Sequence, residues 1–324
     1  MVGVDEMRYL AGSTTRAGER SLQILMASQS GQHGSRATLK LAAVTLELAF
    51  LLLLVAAPSV KAADLKPQTV QAWETYVRQA QASMKGRGSE QTPFLWVDET
   101  PDLAQRVRAG EIVVEPAGGK SPHGVPHGLI HHWVGAVFVP QAKFEDVMSV
   151  LNDYDSYKDV YHPLVVKSKL VEETKDHKSV TLLMVQKAYS VTAAVETSNE
   201  VQVVRIDANR GYSLSRSVHV QEVADYGKPN QHTLPEDHGP GYVWRSVIVT
   251  RLEQRDGGTY VEMEVIALSR GIPVEFRWLV QPLAEHLPRN IVSGMLRDTG
   301  NAVSQKMTPA SVKSPTAIQS SSLQ

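Results

Sequence analysis

The stretch GAVFVPQAKFEDVMSVLNDYDSYKDVYHPLVVKSKLV, residues 135–171, decides the fold of this chain. Its first residues are apolar and rich in β-branched side chains, which predicts a strand that ends at Pro140. Two helices follow, because apolar residues recur at helical spacing and form one stripe on each: Phe144, Val147, Met148 and Leu151, then Tyr154, Tyr157 and Tyr161. The next strand begins near residue 165, so the stretch opens an α+β domain.

Downstream of this stretch the sequence predicts a series of antiparallel strands, at residues 165–173, 179–189, 191–206, 211–223, 242–254 and 259–270. The last two form a hairpin, since Asp256-Gly257 is a strong signal for a two-residue turn. This register places Arg251 opposite Glu262, on a face that also carries Glu264. We expect that face to be solvated and the apolar opposite face to point inward.

A helical region, residues 274 to about 304, ends the domain. Its inner stripe consists of Ile291, Val292, Met295, Leu296, Thr299 and Val303. Pro282 and Pro288 predict a short helix followed by a longer one. The fold class is therefore α+β, with a curved antiparallel sheet wrapped around a long C-terminal helix.

Residues 135–171, together with GGTYVEMEVIALSRGIPVEFRWLVQPLAEHLPRNIVSGMLRDTGNAV at 257–303, resemble the START/polyketide-cyclase (SRPBCC, helix-grip) superfamily. They are similar to its coenzyme Q-binding and polyketide-cyclase-like branches. The resemblance covers residues 111–305 and is carried by the order and texture of the elements. It implies a helix-grip fold that holds an apolar ligand between sheet and helix. Some members are carriers and a few are enzymes, so the fold does not choose between these roles.

Residues 63–110 form a helical extension outside the resemblance. Pro67 suits a first helical turn, and an apolar stripe follows at Val70, Trp73, Val77, Ala80 and Met84. A short second helix is predicted over 102–109. We expect the stripe to pack on its own domain, while docking to a partner or a membrane surface is the alternative. The sequence leaves open whether the extension covers the pocket.

Residues 1–62 are predicted to be a signal peptide with a long leader. Arg36 and Lys40 precede the apolar run 41–57, and the small residues Val60 and Ala62 favour cleavage after Ala62. The alternative is an uncleaved N-terminal anchor, and Met1 and Met26 both remain possible starts. In either case we expect the domain outside the cytoplasm, periplasmic or secreted, which the absence of cysteine suits. Residues 306–324 are predicted to be a disordered tail.

The predicted site is a pocket for a hydrophobic small molecule, lipid-like or isoprenoid-like. Its wall is the inward face of the last hairpin: Trp244, Ser246, Ile248, Thr250, Met263, Val265 and Ala267. Its lid is the helix stripe: Val292, Met295, Leu296 and Thr299. Arg270, Arg289 and Arg297 are candidates for binding an anionic head group, with intramolecular pairing as the alternative. A fully packed core without a cavity is a further alternative.

Two other functions compete with binding or transport. One is a cyclase- or hydrolase-type enzyme that uses the same pocket, and the other is a membrane-tethered interaction module without a pocket. No Asp, Glu, His or Lys is among the predicted wall and lid residues, which argues against catalysis. We predict no cofactor. The net charge of −1 gives no basic surface for nucleic acid, and the oligomeric state stays open.

The histidine-rich stretch SPHGVPHGLIHHWVG, residues 121–135, is not predicted to be a metal site. Pro and Gly residues interleave His123 and His127, so no helix aligns these side chains. His131 and His132 are neighbours on a strand and point to opposite faces. We expect one of these two to be exposed and the other to be satisfied inside.

Overall fold

The computed structural model describes residues 62–88, 92–175, 177–188, 191–272 and 277–308, and only the backbone of Lys85 and of residues 277–285. The predicted signal peptide before Ala62 and the predicted tail beyond Thr308 lie outside the described residues. The chain divides into units 1–59 and 60–324, and every described residue belongs to the second. Within the described part of the chain, no helix is long and apolar enough to cross a membrane.

The described residues of the second unit form twelve strands. They are β1 (Ala63–Asp64), β2 (Val113–Pro116), β3 (His123–Val125), β4 (Gly128–Pro140), β5 (Val165–Glu173), β6 (His177–Ala188), β7 (Val191–Arg205), β8 (Arg210–Ala224), β9 (His232–Thr233), β10 (His238–Gly239), β11 (Arg245–Arg255) and β12 (Gly258–Arg270). The α-helices are α1 (Pro67–Lys85), α2 (Pro101–Arg108), α3 (Phe144–Leu151), α4 (Tyr157–Val160) and α5 (Arg277–Met307). A short 3₁₀ turn, Trp96–Glu99, links α1 to α2.

Ten of the strands form one antiparallel sheet in the order β2-β4-β12-β11-β8-β7-β6-β5, with β3 beside β4 and β9 beside β8. The remaining pair, β1 and β10, forms a small separate sheet. The strands follow one another as hairpins from β5 to β8, and β4 crosses to join β12. This is the α+β helix-grip fold that the sequence predicts.

The hairpin of β11 and β12 has the predicted register. Arg251 lies opposite Glu262, and the turn residues Asp256 and Gly257 have φ values of 56° and 81°. Positive φ at both central residues is the requirement of the type I′ turn, which matches the twist of the two strands. The turn chemistry therefore fixes which side chains share each face of the hairpin.

The C-terminal helix corrects one prediction. Instead of a short helix and a longer one, α5 runs as one helix from Arg277 to Met307, through Pro282 and Pro288. A proline removes one backbone hydrogen bond from a helix. Burial of Val292, Leu296 and Val303 against the sheet holds the helix, so the loss of that bond does not end it.

The sheet is covered on both sides. We call the side that packs against α5 the inner face and the side that packs against α1 the outer face. On the inner face, Val137, Val261 and Met263 form one buried cluster with Leu296. On the outer face, Trp73 of α1 packs in one buried cluster with Ile266 of β12.

The extension of residues 63–110 closes the outer face. The stripe of α1 packs on its own domain, as expected, with Trp73 and Val77 each 1% exposed. Beyond α1, the segment 94–97 and the helix α2 form a second buried cluster with Val134, Phe138 and Tyr260. The extension therefore lies on the side of the sheet opposite the predicted pocket. The predicted domain limits themselves stay a prediction.

Candidate functional site

One half of the inner face is tightly packed against α5. A Cβ atom on Gly135 of β4 would lie 3.0 Å from Cδ1 of Leu296 and 2.8 Å from Cγ2 of Val114. Any larger residue at 135 would therefore push these side chains apart. Further along α5, the buried Thr299 hydroxyl lies 3.0 Å from the hydroxyl of Tyr161, whose pKa burial raises to about 12. This half is core rather than cavity.

The other half of the inner face is less completely covered by the described residues. Ser213 and Ser215 of β8, Ile248 of β11 and Val265 of β12 lie in the middle strands of the sheet, yet all four side chains are partly exposed. Their side chains share one face, because residues directly opposite in antiparallel strands point to the same side. We call the region lined by these four residues the inner cleft.

A row of side chains crosses the inner cleft. Trp133 of β4 lies opposite Val265, Val265 opposite Ile248, Ile248 opposite Ser215, and Ser215 opposite Val201 of β7. Strands in a sheet lie about 4.8 Å apart, so the row from Trp133 to Ser215 is about 14 Å long. The cleft therefore offers an apolar track with a hydroxyl at one end and an indole at the other.

The predicted wall and lid residues fall into three groups. The packed core contains Met263, Val292 and Leu296, and Thr250 and Thr299 are buried too. The partly exposed residues are Ser246, Ile248, Val265 and Ala267 on the sheet and Met295 on α5. For both of these groups, contact with a ligand stays a prediction. The third group is Trp244 alone.

The predicted position of Trp244 on the inner face is wrong. Its side chain is buried in the outer-face cluster with Trp73, Val77 and Ile266. The sequence placed residue 244 inside a strand, but β11 begins only at Arg245. Alternation does not apply before the first strand residue, so the indole is free to turn toward the extension.

The three predicted head-group arginines do not converge on the inner cleft. Arg270 lines a surface groove of about 380 Å³ together with Lys66 and Trp244. Arg289 is exposed, and its Nε donates to the carbonyl of Val114 at 3.3 Å. Arg297 is exposed, next to Asp298. The structure therefore does not bring these side chains together as one anion site.

Two buried side chains of β4 were missed as site residues. His131 and Trp133 are each 7% exposed and lie on the inner face. The imidazole Nε2 of His131 lies 2.9 Å from Oγ of Ser269, and burial lowers the pKa of this imidazole to about 4. Neither His131 Nδ1 nor Trp133 Nε1 has a hydrogen-bond partner. The spacing of these two residues from the apolar Val137 and Val139 along the strand was the signal that could have placed them on the inner face.

The outer face carries a buried charge network in place of the predicted solvated pair. Nη1 of Arg251 donates to Oε1 of Glu262 at 3.0 Å and to Oε2 of Glu264 at 2.9 Å. The exposed fractions are 3%, 0% and 7%, so the prediction of a solvated face is wrong. The backbone N–H of Trp96, in the extension, donates to the second oxygen of Glu262 at 2.5 Å. The extension both covers and completes the network.

The network continues into α1 through a histidine. His132 Nε2 lies 2.9 Å from the remaining oxygen of Glu264, and His132 Nδ1 lies 3.0 Å from the hydroxyl of Tyr76. Burial acts to raise the pKa of Glu264, but the bond to His132 and the charge of Arg251 together lower it. Burial raises the pKa of Glu262 to about 7, against the opposing effect of Arg251. The chain of contacts ties α1 to the sheet.

The four histidines of the stretch 121–135 do not come together. His131 and His132 point to opposite faces, as predicted, but both are buried, so the expectation that one is exposed is wrong. His123 lies beside Tyr76 with ring centroids 5.2 Å apart, and His127 is exposed at a turn with φ 56°. Among the described residues, no group of three or more His, Cys, Asp or Glu side chains could hold a metal ion.

A second groove, of about 580 Å³, lies along α1 on the outer side of the molecule. It is lined mainly by polar side chains of that helix, including Gln71, Thr75 and Gln79. The hydroxyl of the partly buried Tyr76 lies 3.0 Å from His132 Nδ1. Neither this groove nor the one beside Arg270 belongs to the inner cleft.

No family model matches the chain, and no curated protein matches it in sequence. Among solved structures it is similar in fold to a STAR-related lipid transfer protein from Xanthomonas axonopodis, at 19% identity over 57% of this chain and 98% of that chain, with a TM-score of 0.38. An aromatase/cyclase from a Streptomyces species is 14% identical over 56% of this chain and 98% of that one, with a TM-score of 0.40. A START superfamily protein from Mycobacterium smegmatis is 9% identical over 56% and 99%, with a TM-score of 0.33. These likenesses concern the fold and carry no information on ligand or activity.

Proposed function

We propose that the protein binds or carries a largely apolar small molecule in the inner cleft. One observation carries this proposal: Ser215, Ile248 and Val265 are partly exposed in the middle of a sheet that is covered on both sides. Apolar side chains at such positions are ordinarily buried, because exposing them to water is unfavourable. An apolar occupant would remove that exposed surface from water.

The contrast between the two halves of the inner face supports this reading over a fully packed core. Where α5 crosses β4, small residues such as Gly135 allow contact between helix and sheet. Around Ile248 and Ser215 the same face is not sealed. Apolar walls with a few hydroxyls are typical of sites for small apolar ligands.

The location outside the cytoplasm is part of the proposal. It is supported by the apolar run 41–57 between a basic flank and the small residues Val60 and Ala62. Expressing the full chain in a bacterial host and determining the N-terminus of the exported product tests it. An N-terminus at Ala63 supports cleavage, an unprocessed membrane-bound product supports the anchor, and a cytoplasmic product contradicts both.

Native mass spectrometry of the full chain, followed by organic extraction, tests the binding function. We expect a stoichiometric apolar molecule to co-purify, or a fluorescent fatty-alcohol analogue to bind the delipidated protein. Ser215→Trp, which fills the cleft, should abolish binding. Val218→Trp on the same strand is the matched control, because Val218 is 40% exposed. Absence of any bound or bindable apolar molecule in the wild-type chain would overturn the proposal.

A second candidate is an enzyme of the cyclase type that uses the same cleft. The buried, ionisable His131 favours it, since shifted ionisable groups cluster at catalytic sites. However, burial lowers the pKa of His131 to about 4, far below the value near the working pH that suits a general base. His131 is therefore better suited to a hydrogen bond than to proton abstraction, which leaves binding as the favoured function.

A further inference from the structure

We propose that the inner cleft selects ligands with a neutral oxygen head group, a carbonyl or a hydroxyl, which hydrogen-bonds to Trp133 Nε1 and His131 Nδ1. This inference rests on the proposed binding function and adds the chemical class of the ligand. It replaces the anionic head group that the arginine pattern of the sequence suggested.

The first argument is the missing partners of two buried nitrogens. Trp133 Nε1 and His131 Nδ1 are inaccessible to water and make no hydrogen bond. Each of the two residues is only 7% exposed. A buried polar atom without a partner costs about 1–3 kcal/mol, so such atoms are rare in proteins. Two of them, two residues apart on one face of β4, indicate a shared partner that comes from outside the chain.

The other unpartnered buried atoms of the described residues differ from this pair. Three belong to the guanidinium groups of Arg87, Arg251 and Arg255, each of which is already bonded through another nitrogen. The fourth, Nε2 of His123, lies near Tyr76 of the extension. Trp133 and His131 are the ones on the inner face, next to the track formed by Val265 and Ile248.

The second argument is the kind of group that fits both atoms. Trp133 Nε1 can only donate. His131 shares its other nitrogen with the hydroxyl of Ser269, so either tautomer is compatible with the geometry. With a bare Nδ1, a ligand hydroxyl donates to His131 and accepts from Trp133. With a protonated Nδ1, a ligand carbonyl accepts from both.

The third argument concerns charge. Burial lowers the pKa of His131 to about 4, so its surroundings already disfavour a charge on the imidazole. A carboxylate or phosphate would meet the same penalty there. Of the three predicted head-group arginines, Arg289 donates to the carbonyl of Val114 instead. A neutral oxygen avoids this cost.

The test compares four probes with the same dodecyl chain: a methyl ketone, an alcohol, a carboxylate and the plain alkane. Affinities are measured by displacement of a fluorescent fatty-alcohol analogue from the delipidated full chain. We expect the ketone and the alcohol to bind about tenfold more tightly than either the alkane or the carboxylate, the size of one well-made buried hydrogen bond. In Trp133→Phe that preference over the alkane should fall by about five- to tenfold.

Trp244→Phe is the matched control, because it removes the N–H of another buried indole from the outer side of the sheet. It should leave all four affinities unchanged. A measurement on the wild type guards against misfolding of the Trp133 variant: the indole N–H resonance of Trp133 should move downfield with the ketone and stay in place with the alkane.

The outcomes separate the two proposals. If all four probes bind equally and Trp133→Phe changes nothing, the head-group inference is wrong while binding in the cleft stands. Tightest binding of the carboxylate would also overturn the inference. If no probe binds at all, the proposed function fails first. An unmoved indole resonance with a tightly bound ketone would place the head group elsewhere and contradict the inference.

Discussion

The two faces of the β11–β12 hairpin differ in the charge of their side chains and in how far these are buried. On the outer face, Arg251, Glu262 and Glu264 are charged and buried. On the inner face, Ile248 and Val265 are apolar and partly exposed. Charged residues are ordinarily exposed and apolar residues ordinarily buried, so both faces depart from the usual pattern.

The difference supports the side of the sheet on which we propose that the ligand binds. On the outer face the extension supplies the missing partners, since the N–H of Trp96 and the hydroxyl of Tyr76 complete the network. On the inner face Ser215 and Ile248 remain partly exposed among the described residues. Among the described residues, the inner face is the less completely covered of the two, which is why we propose it for an external occupant.

The largest expected effect is on the outer face. Arg251→Ala leaves two buried carboxylates without their cation and should lower the free energy of unfolding by about 3–5 kcal/mol. Urea denaturation at neutral pH measures it. Arg216→Ala is the control, because Arg216 forms a half-exposed ion pair with Glu74 of α1 at 2.7 Å and should cost less than about 1 kcal/mol. Equal losses in the two variants would show that the buried network has no special weight.

The next effect belongs to the inner face and depends on pH. The pKa of His131 is about 4 in the fold, against an ordinary value of 6.5. The unfolded chain therefore binds a proton between these values that the folded chain does not, so stability falls as pH drops from 6.5 to 4. The loss is about 3 kcal/mol, and His131→Gln should remove most of it.

Urea denaturation of both proteins at a series of pH values measures this effect. His162→Gln, at an exposed histidine, is the control and should keep the wild-type acid dependence. If the His131 variant and the wild type lose stability in parallel between pH 6.5 and 4, the imidazole is not held neutral by burial as described.

A smaller effect is expected where α1 meets the network. Tyr76→Phe removes the hydroxyl that lies 3.0 Å from His132 Nδ1 and leaves that nitrogen without its partner. The free energy of unfolding should fall by about 1–2 kcal/mol. Thermal or urea unfolding checks the value. An unchanged stability would mean that water replaces the hydroxyl, and that the network ends at His132.

The smallest expected effect on stability is on the inner face. Ser215→Ala removes a partly exposed hydroxyl from the inner face, so stability should change by less than about 0.5 kcal/mol. The same denaturation experiment serves as the measurement. A loss approaching that of Arg251→Ala would show that the cleft is a packed interior after all.

Much of the fold was predictable because its signals are local. Helical spacing gave α1 and α3, Asp256-Gly257 gave the hairpin register, and strict alternation assigned Glu262 and Met263 to opposite faces. The start of β11 was not predictable from local signals. Trp244 has strand-like neighbours in the sequence, yet it precedes the strand and packs in one cluster with Trp73.

The candidate site was predictable only in part. The sequence indicated that Ile248 and Val265 face inward, and the structure agrees. It did not indicate His131 and Trp133, because their role depends on the pairing of β4 with β12, two strands more than a hundred residues apart in the chain. Sequence periodicity assigns a side chain to a face but does not identify its neighbours across strands.

The sequence by itself determined the order of elements, the register of the last hairpin and the face to which each strand residue points, because these follow from local backbone geometry. Only the tertiary structure decided which face is closed. Whether Arg251 and Glu262 meet water depends on the docking of residues 63–110 over them, and whether Ser215 does depends on where α5 lies. Burial is a property of contacts between distant segments, and a polar residue on a strand looks the same in sequence whether it is solvated or paired.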